Sequence, residues 1–517
     1  MVTSPHRLAS EAGLDILRQG GNAIEAAIAI GAVLAVVYPH FCGLGGDAVW
    51  LVAEPGGVAT TFLGIGQAAR HVITDAAIPV RGAASATTTA CVVDSWRHAL
   101  EYAGDRWGGR MKLASLLDRA IGYAGDGFPM TPSQAFWLNF RRAEIANWPG
   151  FADVFCPGGV APAVGETFRQ PALATTLQTI ARHGAREFYE GELALRLARG
   201  LSEAGSPLNE GDLRATMTRE AAPLRLDYGP VTLLAPPSPT QGVTTLEIMG
   251  ILAELDRAGV REGSADDYHF LVEAVKRAFL DRDGIGDPDF EAPEVANWLS
   301  AAHLRERAAT IDPTRAMPWP RPFQTGDTVF FAAVDAEGRG VSVLQSIYFD
   351  WGSGVVAGDT GVLWQNRGAA FVTTPRHPNA VMPGKRPFYT LTPGIATPAG
   401  RPHLLYGTQG ADGQPQTLAL VLTRLLDYGM SPAEALRRPR FLLGRTFSDA
   451  RDSLKIEADI GDKVIAELAS RGHAISAIGA LSPLAGQAGI LRIGADGALS
   501  GAHDPRSDGA ALSLDSR

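Results

Sequence analysis

The feature that most constrains the fold is a change of character in the middle of the chain. The proline-rich run Asp312–Pro322, with its Trp319-Pro320 pair, separates a helix-dominated first part from a strand-rich second part. Proline removes a backbone donor and fixes φ, so such a run reads as an exposed linker. Ahead of it, Ala9–Gln19 is helix-compatible and stops at Gly20-Gly21. Asn22 caps a second helix that runs through Ala, Ile and Val residues to Val37, before Pro39. Cys42–Asp47 leads into a buried strand, Ala48–Val52, and helical periodicity dominates from Trp96 to Leu213. Residues 266–282 form an amphipathic helix with Phe270, Val272, Ala274, Val275, Ala278 and Phe279 on its apolar side. Beyond the linker, Val329–Val334 and Gly340–Ser346 read as strands around the turn Asp335–Gly338. Strand-like runs follow at Gly354–Val356, Gly361–Leu363, His403–Tyr406, Ile490–Ile493 and Gly509–Ser513, with helices at Leu418–Asp427 and Ser431–Arg437. The pattern is α/β with layered sheets and no internal repeat.

Composition narrows the class of partner. With 517 residues, 46% hydrophobic, and a net charge of −9, the chain has material for a large core and no basic block to hold nucleic acid or an anionic membrane. Its most apolar segment, Ala26–Val37, is too short to span a bilayer. Met1–Arg7 lacks the pattern of a secretory signal, and Cys42, Cys91 and Cys156 share no metal-ligand spacing. A cytoplasmic protein with reduced, structural cysteines is expected. His6, His40 and His269 form no metal-binding pair, and the acidic run Asp281–Asp289 does not match a calcium loop. Gly43-Leu-Gly-Gly46 has no phosphate-loop lysine and reads as a tight turn. No metal and no cofactor is expected.

One residue just past the linker stands out chemically once the rest of the chain is considered. Thr328, in Asp327-Thr328-Val329, would become a nucleophile if the preceding peptide bond were cut. The freed α-amine would then lie within reach of its own hydroxyl and could take its proton. An unperturbed α-amine has a pKa of about 7.7–8.0, so much of it is neutral base at working pH. Read alone, however, Thr328 would be an ordinary threonine at the start of a strand.

The wider sequence resembles the γ-glutamyltranspeptidase family of N-terminal-nucleophile hydrolases. The resemblance is carried by Ser4–Ser10, Gly20–Ala23, Gly43–Gly46, Asp126–Pro129 and Pro236–Pro239 in the first part, followed by Ala278–Arg282. In the second part it is carried by Gly352–Val356, Pro383–Pro387, Tyr428–Met430, Arg438–Phe441 and Asp504–Gly509. It implies a four-layer αββα sandwich, autoprocessed into a large subunit, 1–327 with its processing linker near 312–327, and a small subunit, 328–517. By that resemblance Thr328 is the nucleophile, Asp327 precedes the cut, and Ser346 stands where a second threonine hydrogen-bonds the nucleophile's hydroxyl. Gly410-Ala411 falls where a Gly-Gly pair supplies the oxyanion hole. Alanine keeps the N–H but restricts the backbone.

The departures bear on substrate. Relatives that take γ-glutamyl groups bind the α-carboxylate through an arginine and the α-amine through an aspartate. The corresponding runs here are Gly64–Ala69, without arginine, and Gln365–Phe371, with Ala370 at the aspartate position. Losing a charge-assisted contact costs about 1.5–3 kcal/mol. Gln345–Tyr348, Gln365–Gly368 and Lys385–Thr390 instead resemble the branch containing oxamate amidohydrolase. Tyr348, Arg367, Arg386 and Thr390 are then candidates for binding a small carboxylate-bearing amide, since an arginine can grip a carboxylate through two parallel hydrogen bonds. A γ-glutamyltransferase, glutathione hydrolase or acylase is the alternative, and an unprocessed ligand-binding relative the non-enzyme one. The partners expected are the substrate and the two processed subunits, as a heterodimer or a dimer of heterodimers.

Overall fold

The computed structural model describes residues 1–72, 76–319, 327–445 and 451–514. Two antiparallel sheets lie face to face at its centre. The first runs, in spatial order, Ala510–Leu512, Val2–Ser4, Val329–Val334, Gly340–Ser346, Asp47–Ala53, Ala59–Gly64 and Arg219–Ala221. The second runs Leu499–His503, Ala488–Ile493, Leu404–Thr408, Gly394–Thr397, Val231–Ala235 and Leu224–Tyr228.

Alternation along a strand builds the layers, because successive side chains leave on opposite faces. Phe330, Ala332 and Val334 join Val49, Leu51 and Leu344 between the sheets, where they meet Leu234, Ile395, Leu405 and Leu491 of the second sheet. Val329, Phe331 and Ala333 face the other way, into the core formed with the helices Arg7–Arg18, Ala23–Val37 and Val92–Trp107. The helices Gly242–Ala253, Ala265–Asp281 and Gln414–Leu426 cover the outer face of the second sheet through Leu233, Ala396, Leu404, Tyr406 and Ile490. The result is the αββα sandwich.

The helix Ala23–Val37 is buried along its whole length. Its start is set by Asn22, whose side chain accepts from the Glu25 N–H while the Glu25 carboxylate accepts from the Asn22 N–H. Such a cap contributes about 1 kcal/mol. Gly354–Val356 and Gly361–Leu363 are not strands. Gly354 and Gly361 sit at φ of +74° and +71°, so the chain turns there, and only an isolated bridge joins Val356 to Leu363. The three cysteines are buried and unpaired. Among the described residues no helix is long and apolar enough to cross a membrane. The linker expected near 312–327 is described only to Trp319 and again at Asp327, so residues 320–326 lie outside the described residues.

Candidate active site

Strand register brings Thr328 and Ser346 together. Gln345 is paired with Val329, so the next step along the ladder sets Ser346 opposite Thr328. The Thr328 hydroxyl lies 3.2 Å from the Ser346 hydroxyl and 2.7 Å from the Asp327 carbonyl oxygen. Ser346 donates to that same carbonyl at 2.8 Å and accepts from the Tyr348 N–H at 2.8 Å. The Asp327 N–H donates to the Tyr348 carbonyl at 2.7 Å. Tyr348 is held at φ of +82°, a conformation that costs a non-glycine residue of order 1–3 kcal/mol and that clusters at functional sites. The peptide unit between Asp327 and Thr328 is therefore held from both sides, with the Thr328 and Ser346 hydroxyls both on the Asp327 carbonyl oxygen.

The glycine turn before Asp47–Ala53 lets the chain pass close under this point. A Cβ on Gly46 would stand 2.2 Å from the Ser346 carbonyl, and one on Gly45 would stand 2.3 Å from that of Leu363. Only glycine fits such approaches.

Against Tyr348 lies a buried arginine. The Arg367 guanidinium is sandwiched between the Tyr348 ring, 3.8 Å from its centroid, and the Tyr389 ring, 4.2 Å away. Its Nη1 donates to the Thr390 hydroxyl at 3.3 Å, whereas its Nε has no hydrogen-bond partner, and among the described residues no carboxylate pairs with it. Burial pushes its pKa down to about 10, against the opposing pull of Tyr348, Asp47 and Asp412. Asp47 accepts from the Tyr389 hydroxyl and from the N–H groups of Gly66 and Cys91. Burial raises Asp47 to about 7, with hydrogen bonds and the Arg367 charge acting the other way.

Gly410 and Ala411 follow the strand Leu404–Thr408, at φ of +125° and +44°. Among the described residues neither backbone N–H has an acceptor. Gln241 braces the pair from behind, its Nε2 donating to the carbonyls of Ala411 at 2.8 Å and Thr390 at 2.9 Å. Gln241 is fixed in turn by Arg282, which also pairs with Asp412.

Arg386 takes another part. Asp287 accepts from its Nη2 at 2.6 Å, from its Nε at 3.2 Å and from its N–H at 2.8 Å. Its fork is filled by the protein itself, so the expected substrate contact gives way to a buried structural ion pair. Tyr348, Arg367 and Thr390 do meet. Asp47, Gln241, Arg282 and Tyr389 escaped sequence reading, although Arg282 and Tyr389 lie in or beside stretches that carry the family resemblance.

A cavity of about 750 Å³ opens beside the site, with Asp327 and Gly410 in its wall. Asp350 also lines it, gripped by Arg81 at 2.9 Å and by Arg141 at 2.6 Å. Burial first, then the Asp350 charge, push the Asp327 carboxyl well above the usual carboxylate range, with Arg141 and Arg81 opposing. Among the described residues two trios of side chains elsewhere come within metal-ligating distance, His269–Glu273–His473 and Glu247–Asp281–His303. In each a carboxylate is already engaged, Glu273 by Lys276 and Arg277, and Asp281 by His303 and Arg307.

Comparison with known proteins agrees with this architecture. The family model described as gamma-glutamyltranspeptidase matches residues 9–514. The chain is 44% identical to an oxamate amidohydrolase proenzyme of Klebsiella pneumoniae, over 99% of this chain and 98% of that one. It is 42% identical to the glutathione hydrolase-like YwrD proenzyme of Bacillus subtilis, again over 99% and 98%. Among solved structures, the cephalosporin acylase of Bacillus halodurans superposes with a TM-score of 0.91 at 31% identity, covering 100% of this chain and 96% of that one. With the sandwich and the family-wide match in hand, the chain belongs to the gamma-glutamyltranspeptidase family of N-terminal-nucleophile hydrolases.

Proposed function

We propose that the chain cuts itself between Asp327 and Thr328 and then acts as an amidohydrolase on small carboxylate-bearing amides such as oxamate. The observation that carries this reading is Arg367, a buried cation with no carboxylate paired to it among the described residues. Burying a charge costs several kcal/mol unless it is paired. A substrate carboxylate would supply the missing partner, and the two tyrosine rings hold the guanidinium plane ready for it. The identity to an oxamate amidohydrolase proenzyme supports the same choice.

In maturation the Thr328 Oγ1 attacks the Asp327 carbonyl carbon, and the C–N bond breaks as the nitrogen takes a proton. Water then hydrolyses the resulting ester, leaving the Asp327 carboxylate and a free Thr328 α-amine. In turnover that amine accepts the hydroxyl proton as Oγ1 attacks the substrate amide. The N–H groups of Gly410 and Ala411 receive the developing oxyanion. The protonated amine returns the proton to the departing nitrogen, and water hydrolyses the acyl-enzyme by the same route in reverse. Ser346 holds the hydroxyl during both reactions.

A glutathione hydrolase reading, favoured by the identity to YwrD, lacks its zwitterion clamp here. Intact mass and substrate choice test the proposal together. Two species split at Asp327/Thr328, releasing ammonia from oxamate faster than p-nitroaniline from γ-glutamyl-p-nitroanilide, are expected. A single uncut species that binds ligand without turnover would overturn it, as would the opposite substrate preference.

A further inference from the structure

The loop that cradles the Asp327–Thr328 peptide is held in an unfavourable shape from outside. Both backbone groups of Tyr348 serve that peptide: its N–H donates to the Ser346 hydroxyl, and its carbonyl accepts from the Asp327 N–H. Just beyond it the chain passes through Trp351 at φ of +59° and Gly352 at φ of +53°. With Tyr348 at +82°, two non-glycine residues within one short loop lie in the left-handed region. Backbone of this kind persists only where its surroundings enforce it.

The enforcing contacts converge on Asp350. Its carboxylate, 3% exposed, accepts from Arg141 Nε at 2.6 Å and Nη2 at 2.9 Å, and from Arg81 Nη2 at 2.9 Å. Arg81 Nη1 also donates to the Asp350 carbonyl and, at 2.7 Å, to that of Gly352, so it grips side chain and backbone together. The neighbouring Gly82 N–H adds a bond to the Ser353 carbonyl at 2.8 Å. Each arginine is steadied in turn, Arg141 by Glu144 and the Phe140 ring, Arg81 by the Trp148 ring. Charge-assisted bonds are roughly twice as strong as neutral ones, and a forked guanidinium fixes direction as well. Asp350 belongs to the second part of the chain and both arginines to the first, 269 and 209 positions away. The clamp therefore closes only once the two parts have folded together.

We infer that Asp350, clamped by Arg81 and Arg141, is a positioning residue for self-cutting, and that it makes the cut conditional on the first part closing over the second. The inference rests on the maturation step proposed above and adds the device that sets its geometry. The Asp350 carboxylate bonds to the two arginines rather than to a reacting atom. It acts through Tyr348, whose backbone holds the Ser346 hydroxyl and the Asp327 N–H in register with Thr328.

The test follows the appearance of cut chain on denaturing gels after cell-free synthesis. Asp350→Asn keeps the shape of the side chain and loses its charge. Arg141→Ala leaves a gap of guanidinium size in the wall of the cavity, open to small solutes. Each removes charge-assisted bonds and should slow cutting by roughly tenfold or more. Guanidinium chloride at a sub-denaturing concentration should speed cutting in Arg141→Ala severalfold, whereas urea or sodium chloride at the same concentration should not. A merely structural role predicts no such rescue. The same substitutions in the uncuttable Thr328→Ala chain should leave a cooperative unfolding transition above the assay temperature. Cutting at the wild-type rate in both variants, or slow cutting in Arg141→Ala that guanidinium does not restore, overturns the inference and leaves the maturation reading standing. A wild-type chain that never cuts overturns both.

Discussion

At the scale of single residues, two side chains separate the chemistry from mere packing. The Thr328 hydroxyl lies 2.7 Å from the oxygen of the carbonyl group whose carbon it would attack, so Thr328→Ala should leave one uncut chain on a denaturing gel and abolish turnover. A mutant that still gave two bands would remove this residue from the mechanism. Arg367 carries a pH signature through its neighbour Asp47. Burial holds the Asp47 carboxyl neutral up to about pH 7, so below that pH Arg367 faces no ionised partner there. As pH rises through 7, Asp47 ionises and competes with an anionic substrate for the same cation. Oxamate binding should therefore weaken, with KM rising severalfold between pH 6 and 8.5. Over the same range kcat should rise as the Thr328 α-amine loses its proton, which separates the two effects. A KM flat across this range would exclude Asp47 as the competitor. The linkage also has a stability side. A carboxyl raised on folding contributes stability at low pH that is lost as pH climbs from the usual carboxylate range through about 7.

Elements rather than residues explain what was legible in the sequence. The helix Ala23–Val37 could be read because its cap and its apolar run are local, and the strands Val329–Val334 and Gly340–Ser346 because a short turn joins them. Thr328 needed the resemblance spread over the whole chain, since a threonine opening a strand is ordinary. Arg367, Asp47 and Tyr389 could not be joined by any local pattern, because Asp47 reaches Tyr389 across 342 positions. Arg386 looked as suitable as Arg367, and only the fold reveals that Asp287 already fills its fork. Gln241 illustrates the same limit. It lies just before the helix Gly242–Ala253, yet it braces two loops of the second part through the carbonyls of Ala411 and Thr390. Replacing it by leucine would strip both carbonyls of that donor, at about 1–3 kcal/mol for a buried acceptor left unsatisfied. Gln241→Leu should lower kcat by roughly tenfold or more as the oxyanion donors lose their aim, with KM changed less. Steady-state kinetics on fully cut protein would check this, and equal loss in kcat and gain in KM would count against a positioning role.

On the scale of the whole molecule, the proposed cut falls between halves that do not form separate bodies. In the first sheet, Val329–Val334 and Gly340–Ser346 from the second part are flanked by Val2–Ser4 on one side and Asp47–Ala53 on the other, both from the first part. The second sheet joins the two parts at a single seam, where Val231–Ala235 is hydrogen-bonded to Gly394–Thr397. The layer between them draws apolar side chains from both parts, including Val49 and Leu51 with Phe330, Leu344 and Leu405. Separating the halves would expose that layer and break ladders in both sheets at once, so neither half can keep its own core. The processed protein should elute as one species in native size-exclusion chromatography while giving two bands on a denaturing gel. Its unfolding should stay a single cooperative transition, because cutting one bond at the edge of the site removes none of these contacts. The halves expressed alone should be insoluble or unfolded, and mixing them afterwards should restore little activity. Native separation of two folded, soluble halves would show that the sheets are less interdependent than their strand order requires.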